Sequence, residues 1–209
     1  GLRVVLDCAN GAAYLIGLWV FDELGAEVIK DNTTPDGYNI NDGCGATHPE
    51  NIAQLVRTYR ADVGIAFDGD ADRVIFADAK GAIIDGDRIL AMCALDAKSR
   101  GVLAKDTLVV TGMSNLGLHE AMQQHGIAVE VTDVGDRHVI ERMRDGGFNL
   151  GGEKSGHVIL HDYATTGDGI IAALQVLKLM KRSGKPIAEL ADCMVEYPHR
   201  QESVRVAEK

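Results

Sequence analysis

The chain has few cysteines, few prolines, no excess of basic charge and no long apolar run. Cys8, Cys44, Cys93 and Cys193 lie far apart and form neither a C-x-x-C pair nor a Cys/His cluster of zinc spacing. That excludes a disulfide framework and a zinc knuckle, and reduced thiols of a cytoplasmic protein are the expectation. Lys and Arg number 21 against 31 Asp and Glu, a formal net charge of -10 spread along the chain. No nucleic acid and no acidic membrane surface is therefore expected as the main partner, while a small anionic ligand stays open wherever cations gather locally. No apolar run approaches the roughly 20 residues needed to span a bilayer. The opening "GLRVVLDCANG" lacks the basic start and cleavage site of a signal peptide. It starts at once on a strand pattern, so the sequence reads as a piece of something longer.

What is present is ordinary globular material: 209 residues, 46% hydrophobic and only 4 Pro, enough for one large or two small domains. β-Branched runs predict strands over 3–6, 27–29, 63–67, 74–77, 108–111, 129–132, 148–150 and 158–160. Longer periodic stretches predict helices over 12–24, 48–60, 87–99, 115–125, 136–144 and 169–182. The order is mostly strand then helix, which predicts an α/β fold of largely parallel sheets, interrupted where strand follows strand around Asp70 and around Lys154. "THPE", Thr47 to Glu50, has the form of a capping box, and Gly126 suits the left-handed position after a helix.

The sequence also repeats. "DRVIFAD…GDRILA" from Asp72 lines up with "GHVILHD…GDGIIA" from Gly156, with Val74, Ile75 and Asp78 matching Val158, Ile159 and Asp162, and Gly86 and Asp87 matching Gly167 and Asp168. "VVLDCANGAA" and "LVVTGMSNLGL" are each a strand, a polar turn and a helix start. Two similar consecutive α/β domains are expected, 1–104 and 105–209, each a mixed, mostly parallel sheet flanked by helices. At the same strand-to-strand turn, one copy carries "DGDADR" and the other "GEKSGH".

In "DGDADR", Asp68, Asp70 and Asp72 offer hard oxygen ligands that suit Mg²⁺, Ca²⁺ or Mn²⁺ rather than zinc, and Gly69 and Ala71 keep the spacers small. Arg73 follows, well placed to hold a phosphate beside a cation. The bland alternative is an acidic surface turn. An EF-hand is excluded, because the sixth position from Asp68 is Arg73 and the twelfth is Ala79. "GGEKSGH" fails the P-loop pattern, since Glu153 stands where glycine must precede Lys154. Glu153, Lys154, Ser155 and His157 instead form a polar set suited to a polyhydroxylated ligand, or merely a polar hairpin turn. His157 is a candidate general acid or base, or a residue that only orients the turn. Asp136 and Arg137, at a helix start in "VGDRHV", are candidates for receiving a phosphate, or simply for capping. There is no G-x-G-x-x-G dinucleotide loop and no G-x-S-x-G nucleophile elbow.

With "FDGDADR" and "GGEKSGHVIL…TTGDGI" in hand, the chain resembles the α-D-phosphohexomutase family over essentially its whole length. Taken together, "CGATHPE", "VGDRHV", "GGEKSGH" and "TTGDGIIAALQVL" resemble the branch acting on glucosamine phosphates; phosphomannomutase or phosphoglucomutase activity is the alternative within the family. The resemblance implies the middle two of four domains, with domains I and IV missing. It implies Mg²⁺ on Asp68, Asp70 and Asp72, Arg73 contacting a phosphoryl group, and Glu153 and Ser155 contacting the sugar. It also implies a phosphoserine nucleophile that this chain does not contain. The implied reaction interconverts glucosamine 6-phosphate and glucosamine 1-phosphate, with glucosamine or glucose 1,6-bisphosphate as intermediate or activator, and supplies UDP-N-acetylglucosamine synthesis. A homodimer is compatible with it. Taken alone, the fragment is expected to be inactive, and a non-catalytic metal and sugar-phosphate binder is the competing class.

Overall fold

The computed structural model describes residues 1–200. Two mixed sheets flanked by helices make up the chain, as the strand-helix order implies. The first unit, counted as the first copy of the repeat, runs β1 (Arg3–Asp7), α1 (Ala13–Glu23), β2 (Glu27–Asp31), α2 (Pro49–Tyr59), β3 (Val63–Phe67), β4 (Val74–Asp78), β5 (Ile83–Ile84) and α3 (Gly86–Ser99). The second runs β6 (Thr107–Thr111), α4 (Leu116–Gln124), β7 (Ala128–Thr132), α5 (Asp136–Gly146), β8 (Leu150–Gly152), β9 (Val158–Leu160), α6 (Gly169–Ser183) and α7 (Ile187–Ala191).

The sheet orders are β2-β1-β3-β4-β5 and β7-β6-β8-β9, so the second sheet repeats the first without its short fifth strand. In both, the inner strands pair in parallel and one hairpin reverses direction, β3 with β4 and β8 with β9. Strands β3 and β4 are buried at every position, which is why their residues read as continuous apolar runs and not as an alternation.

Helix α3 buries six successive residues, Ile89 to Ala94. A helix apolar all round must be enclosed, and α3 packs on α4, α6, α7, β8 and β9 of the second unit. Helix α6 packs in turn on β3 and β4 as well as on β9. One large core therefore runs through both sheets, joining Leu6, Ile65 and Phe76 to Leu108, Val110 and Val176.

Three local expectations change. Thr47 does not cap α2: its hydroxyl donates to the Cys44 carbonyl at 3.3 Å, and His48 takes the cap position with Pro49 as first helical residue. A proline there already lacks the N–H that a cap would satisfy. The strand expected over 148–150 lies at Leu150–Gly152, because Gly151 and Gly152 pair with Val109 and Val110. A Cβ on Gly151 would sit 2.7 Å from the Met143 sulfur, so this strand needs the residue type that hides it in the sequence. The repeat also shifts register at the helix starts. Asp85 and Asp168 are the two N-caps, their carboxylates accepting from Arg88 N and Ile171 N, so Gly86 is equivalent to Gly169. The expected Gly126 after α4 is left-handed, with φ +66°.

All four cysteines are free. Burial pushes the thiols of Cys8 and Cys93 up to about 12 and those of Cys44 and Cys193 up to about 11, with neighbouring aspartates adding at Cys8 and Cys44. No helix among the described residues is long and apolar enough to cross a membrane.

Candidate metal centre and its facing turn

The carboxylates of "DGDADR" sit at the C-terminal end of β3. The backbone is not extended there. Ala71 has φ +62°, and its N–H closes a turn onto the Asp68 carbonyl at 3.1 Å. A left-handed alanine is strained and persists only when its surroundings hold it. The Ala12 N–H donates to Gly69 O at 2.7 Å, and Gly169 N–H donates to Ala71 O at 2.9 Å. Ile40 and Asn41 cover Gly69 so closely that a Cβ there would lie 2.6 Å from Ile40 Cδ1 and 2.8 Å from Asn41 Nδ2.

The turn brings one carboxylate oxygen from each of Asp68, Asp70 and Asp72 within 4.8 Å of the others. Asp68 is buried, Asp72 half-buried and Asp70 exposed. Burial raises the Asp68 carboxyl to about 6, and the Asp72 and Asp70 charges push the same way, against the N–H and the charge of Arg73. Arg73 N donates to Asp68 Oδ1 at 3.1 Å, but its guanidinium stands back, with Nε 3.7 Å from Asp68 and 3.8 Å from Asp72. Three crowded oxygens short of positive charge, all hard donors, fit a divalent cation of the Mg²⁺ type.

The facing turn lies between β8 and β9. It closes through Gly156 N to Glu153 O at 3.1 Å and Glu153 N to His157 O at 2.9 Å, with Gly156 at φ +97°. Ser155 is exposed and Glu153 half-buried. Glu153 Oε1 accepts from Gly135 N at 3.1 Å, so the carboxylate binds the loop that leads into α5. Asp136 is exposed at the start of that helix, whereas Arg137 spends its Nε on Glu141 at 2.8 Å along the helix surface. Lys154 Nζ lies 3.5 Å from Asp85 and 3.6 Å from Glu196. His157 is 2% exposed, with Nδ1 3.2 Å from Asp72 Oδ2.

The two turns touch through backbone. Val74 N–H donates to Gly156 O at 3.0 Å, and Arg73 and His157 form an isolated antiparallel bridge. These two residues are equivalent in the repeat. The first glycine of each closing helix donates to the other unit's turn, Gly169 N to Ala71 O at 2.9 Å and Gly86 N to Lys154 O at 3.0 Å. Aspartates, Arg73, His157 and the Glu153–Ser155 turn are thus assembled at one junction, with Asp136 and Arg137 behind Glu153. Sequence reasoning missed the Asp72–His157 contact and the cover supplied by Ile40 and Asn41. Small residues at 69, 86, 156 and 169 were its only trace, each now in contact with another segment's backbone or side chain.

Together the fold and site define a two-unit α/β protein with a cluster of three carboxylates where the units meet. The chain belongs to the phosphoglucomutase/phosphomannomutase family. The model of the family's alpha/beta/alpha domain II matches residues 1–81, and that of domain III matches 85–197. Among curated proteins, the chain is 56% identical over 209 residues to a phosphoglucosamine mutase of Geotalea daltonii, covering 100% of this chain and 46% of that protein. It is 53% identical to one of Pelotomaculum thermopropionicum, covering 100% and 47%. A phosphoglucomutase/phosphomannomutase family protein from Burkholderia thailandensis superposes with TM-score 0.83 at 30% identity, over 92% of this chain and 42% of that one. An Aspergillus fumigatus N-acetylphosphoglucosamine mutase, solved with GlcNAc-6P and magnesium, shares the fold, with TM-score 0.74 at 23% identity over 100% and 49%. The chain therefore spans about half the length of the relatives it matches.

Proposed function

We propose that this chain is the central part of a mutase that interconverts glucosamine 6-phosphate and glucosamine 1-phosphate. One observation carries the reading: a carboxylate triad and a hydroxyl-type turn, on equivalent positions of a repeat, are joined backbone to backbone. The naming of relatives 53–56% identical as phosphoglucosamine mutases supports the choice of sugar.

Asp68, Asp70 and Asp72 would hold Mg²⁺, which when bound supplies charge neutralisation for phosphoryl transfer. Arg73 is positioned to hold a phosphoryl group at the mouth of the seat, because its guanidinium is only loosely engaged by Asp68 and Asp72. Glu153 and Ser155 accept and donate to sugar hydroxyls, and Gly135 fixes the Glu153 carboxylate for that purpose. Since the same turn meets the sugar before and after reorientation of a 1,6-bisphosphate, it reads hydroxyls common to both orientations. Asp136 and Arg137 flank that turn as candidate phosphate neighbours. The nucleophilic phosphoserine and a second phosphate site are assigned to parts of the parent beyond the matched domains, and a cytoplasmic setting follows from the reaction.

The test uses the full-length parent, with rates measured on glucosamine, glucose and mannose phosphates with and without Mg²⁺. Preference for glucosamine phosphates and loss of turnover in Asp70→Asn are expected. A clear preference for mannose phosphate, or unchanged turnover in Asp70→Asn, overturns the reading.

A further inference from the structure

A histidine from the second unit lies against the carboxylate cluster of the first. His157 is 2% exposed, and its ring face lies on Gly167, where a Cβ would come within 2.4 Å of Cε1 and 2.5 Å of Nε2. The ring is therefore buried and packed against Gly167. Its Nδ1 meets Asp72 Oδ2 at 3.2 Å. A carboxylate oxygen only accepts, so a proton shared across this contact has to be carried by Nδ1. Nε2 is buried without a partner, so among the described residues the side-chain contact of His157 with a polar group is the one to Asp72. The backbone fixes the same relation, because residue 157 is bridged to residue 73, the neighbour of Asp72.

Asp72 needs this support. Asp68 is held by burial and by Arg73 N, whereas Asp72 is half-buried, crowded by the Asp68 and Asp70 carboxylates, and meets Arg73 Nε only at 3.8 Å. Carboxylates that bind a cation are usually oriented by a second hydrogen bond, and losing such a partner typically costs about 10–100-fold in metal affinity. We propose that His157 is a positioning residue: by donating Nδ1–H to Asp72 it fixes the third ligand of the cation seat, so that seat is complete only when the second unit is docked on the first. The inference rests on the triad being a cation seat, as proposed above.

The test is Mn²⁺ binding to the chain, followed by electron paramagnetic resonance at fixed pH. The variants are His157→Phe, which keeps the ring and removes the donor, and His157→Asn, whose amide nitrogen occupies the Nδ1 position. The expected result is about 10–100-fold weaker binding in His157→Phe with substantial recovery in His157→Asn. A purely structural role predicts equal or greater damage in the smaller Asn variant. Wild-type affinity in His157→Phe overturns the positioning role alone; absence of saturable Mn²⁺ binding in the wild-type chain overturns it together with the cation-seat reading. Should the variants fail to fold, ring ¹⁵N shifts of His157 in the wild-type chain decide the matter. A protonated Nδ1 that responds to Asp72→Ala supports the bond, and an unprotonated Nδ1 overturns it.

Discussion

Replacing Gly156 by alanine probes the weld between the two turns. The backbone there has φ +97°, and a Cβ would lie 2.4 Å from the Val74 carbonyl oxygen. Two costs add. Holding an L-residue at positive φ costs roughly 1–2 kcal/mol, and forcing a methyl group against a backbone that cannot yield costs about 1–3 kcal/mol. The expected loss is therefore about 2–5 kcal/mol, out of a total stability of order 5–15 kcal/mol. Gly184, after α6, supplies the control: φ is +68° and nothing lies within 4 Å of the added carbon. Gly184→Ala carries the conformational cost alone. In urea, with a slope of about 3 kcal/mol per molar, Gly156→Ala is expected to lower the midpoint by roughly 1 M and Gly184→Ala by roughly half that. Equal midpoints for the two variants would refute the claim that the turns are in hard contact.

Asp70→Asn changes an exposed side chain, so its unfolding free energy is expected to match wild type within about 0.5 kcal/mol while calorimetric Mg²⁺ binding falls at least tenfold. Asp87 is fully buried, and burial raises its carboxyl above the usual range against donation from Asn115 N. The unfolded chain ionises first, so stability contributed at this position is present below the ordinary carboxylate value and lost as pH rises through the raised one; urea midpoints across that interval are expected to decline less in Asp87→Asn. The thiols of Cys8 and Cys93, pushed up to about 12, are expected to stay unreacted with a disulfide reagent at pH 8 until denaturant is added, which absorbance at the released chromophore reports.

Much of this was legible in the sequence because period and propensity coincide. The strands of the inner sheet are β-branched runs, and the triad announces itself by alternating aspartates around small spacers. Illegible parts depend on contacts between distant residues. No local signal says that His157 meets Asp72, since the two are brought together by hairpins in different units. Helix α7 escaped because five residues after Pro186 leave too little periodicity to read, and β8 was placed two residues early because glycines demanded by Met143 and Val109 depress strand propensity. The Thr47 box failed for a simpler reason: the hydroxyl found the Cys44 carbonyl before it could serve the helix.

The bridge between Arg73 and His157 has a symmetry consequence. These residues are equivalent in the repeat and pair antiparallel, so a local two-fold axis passes between them. In a symmetric dimer, an isologous contact of this kind would set a residue against its own copy and oblige both sides to be identical. Linking the two copies in one chain keeps the axis but frees the sequences on either side of it. One half carries the acids and the other the hydrogen-bonding turn, an arrangement that a dimer of identical units could never reach.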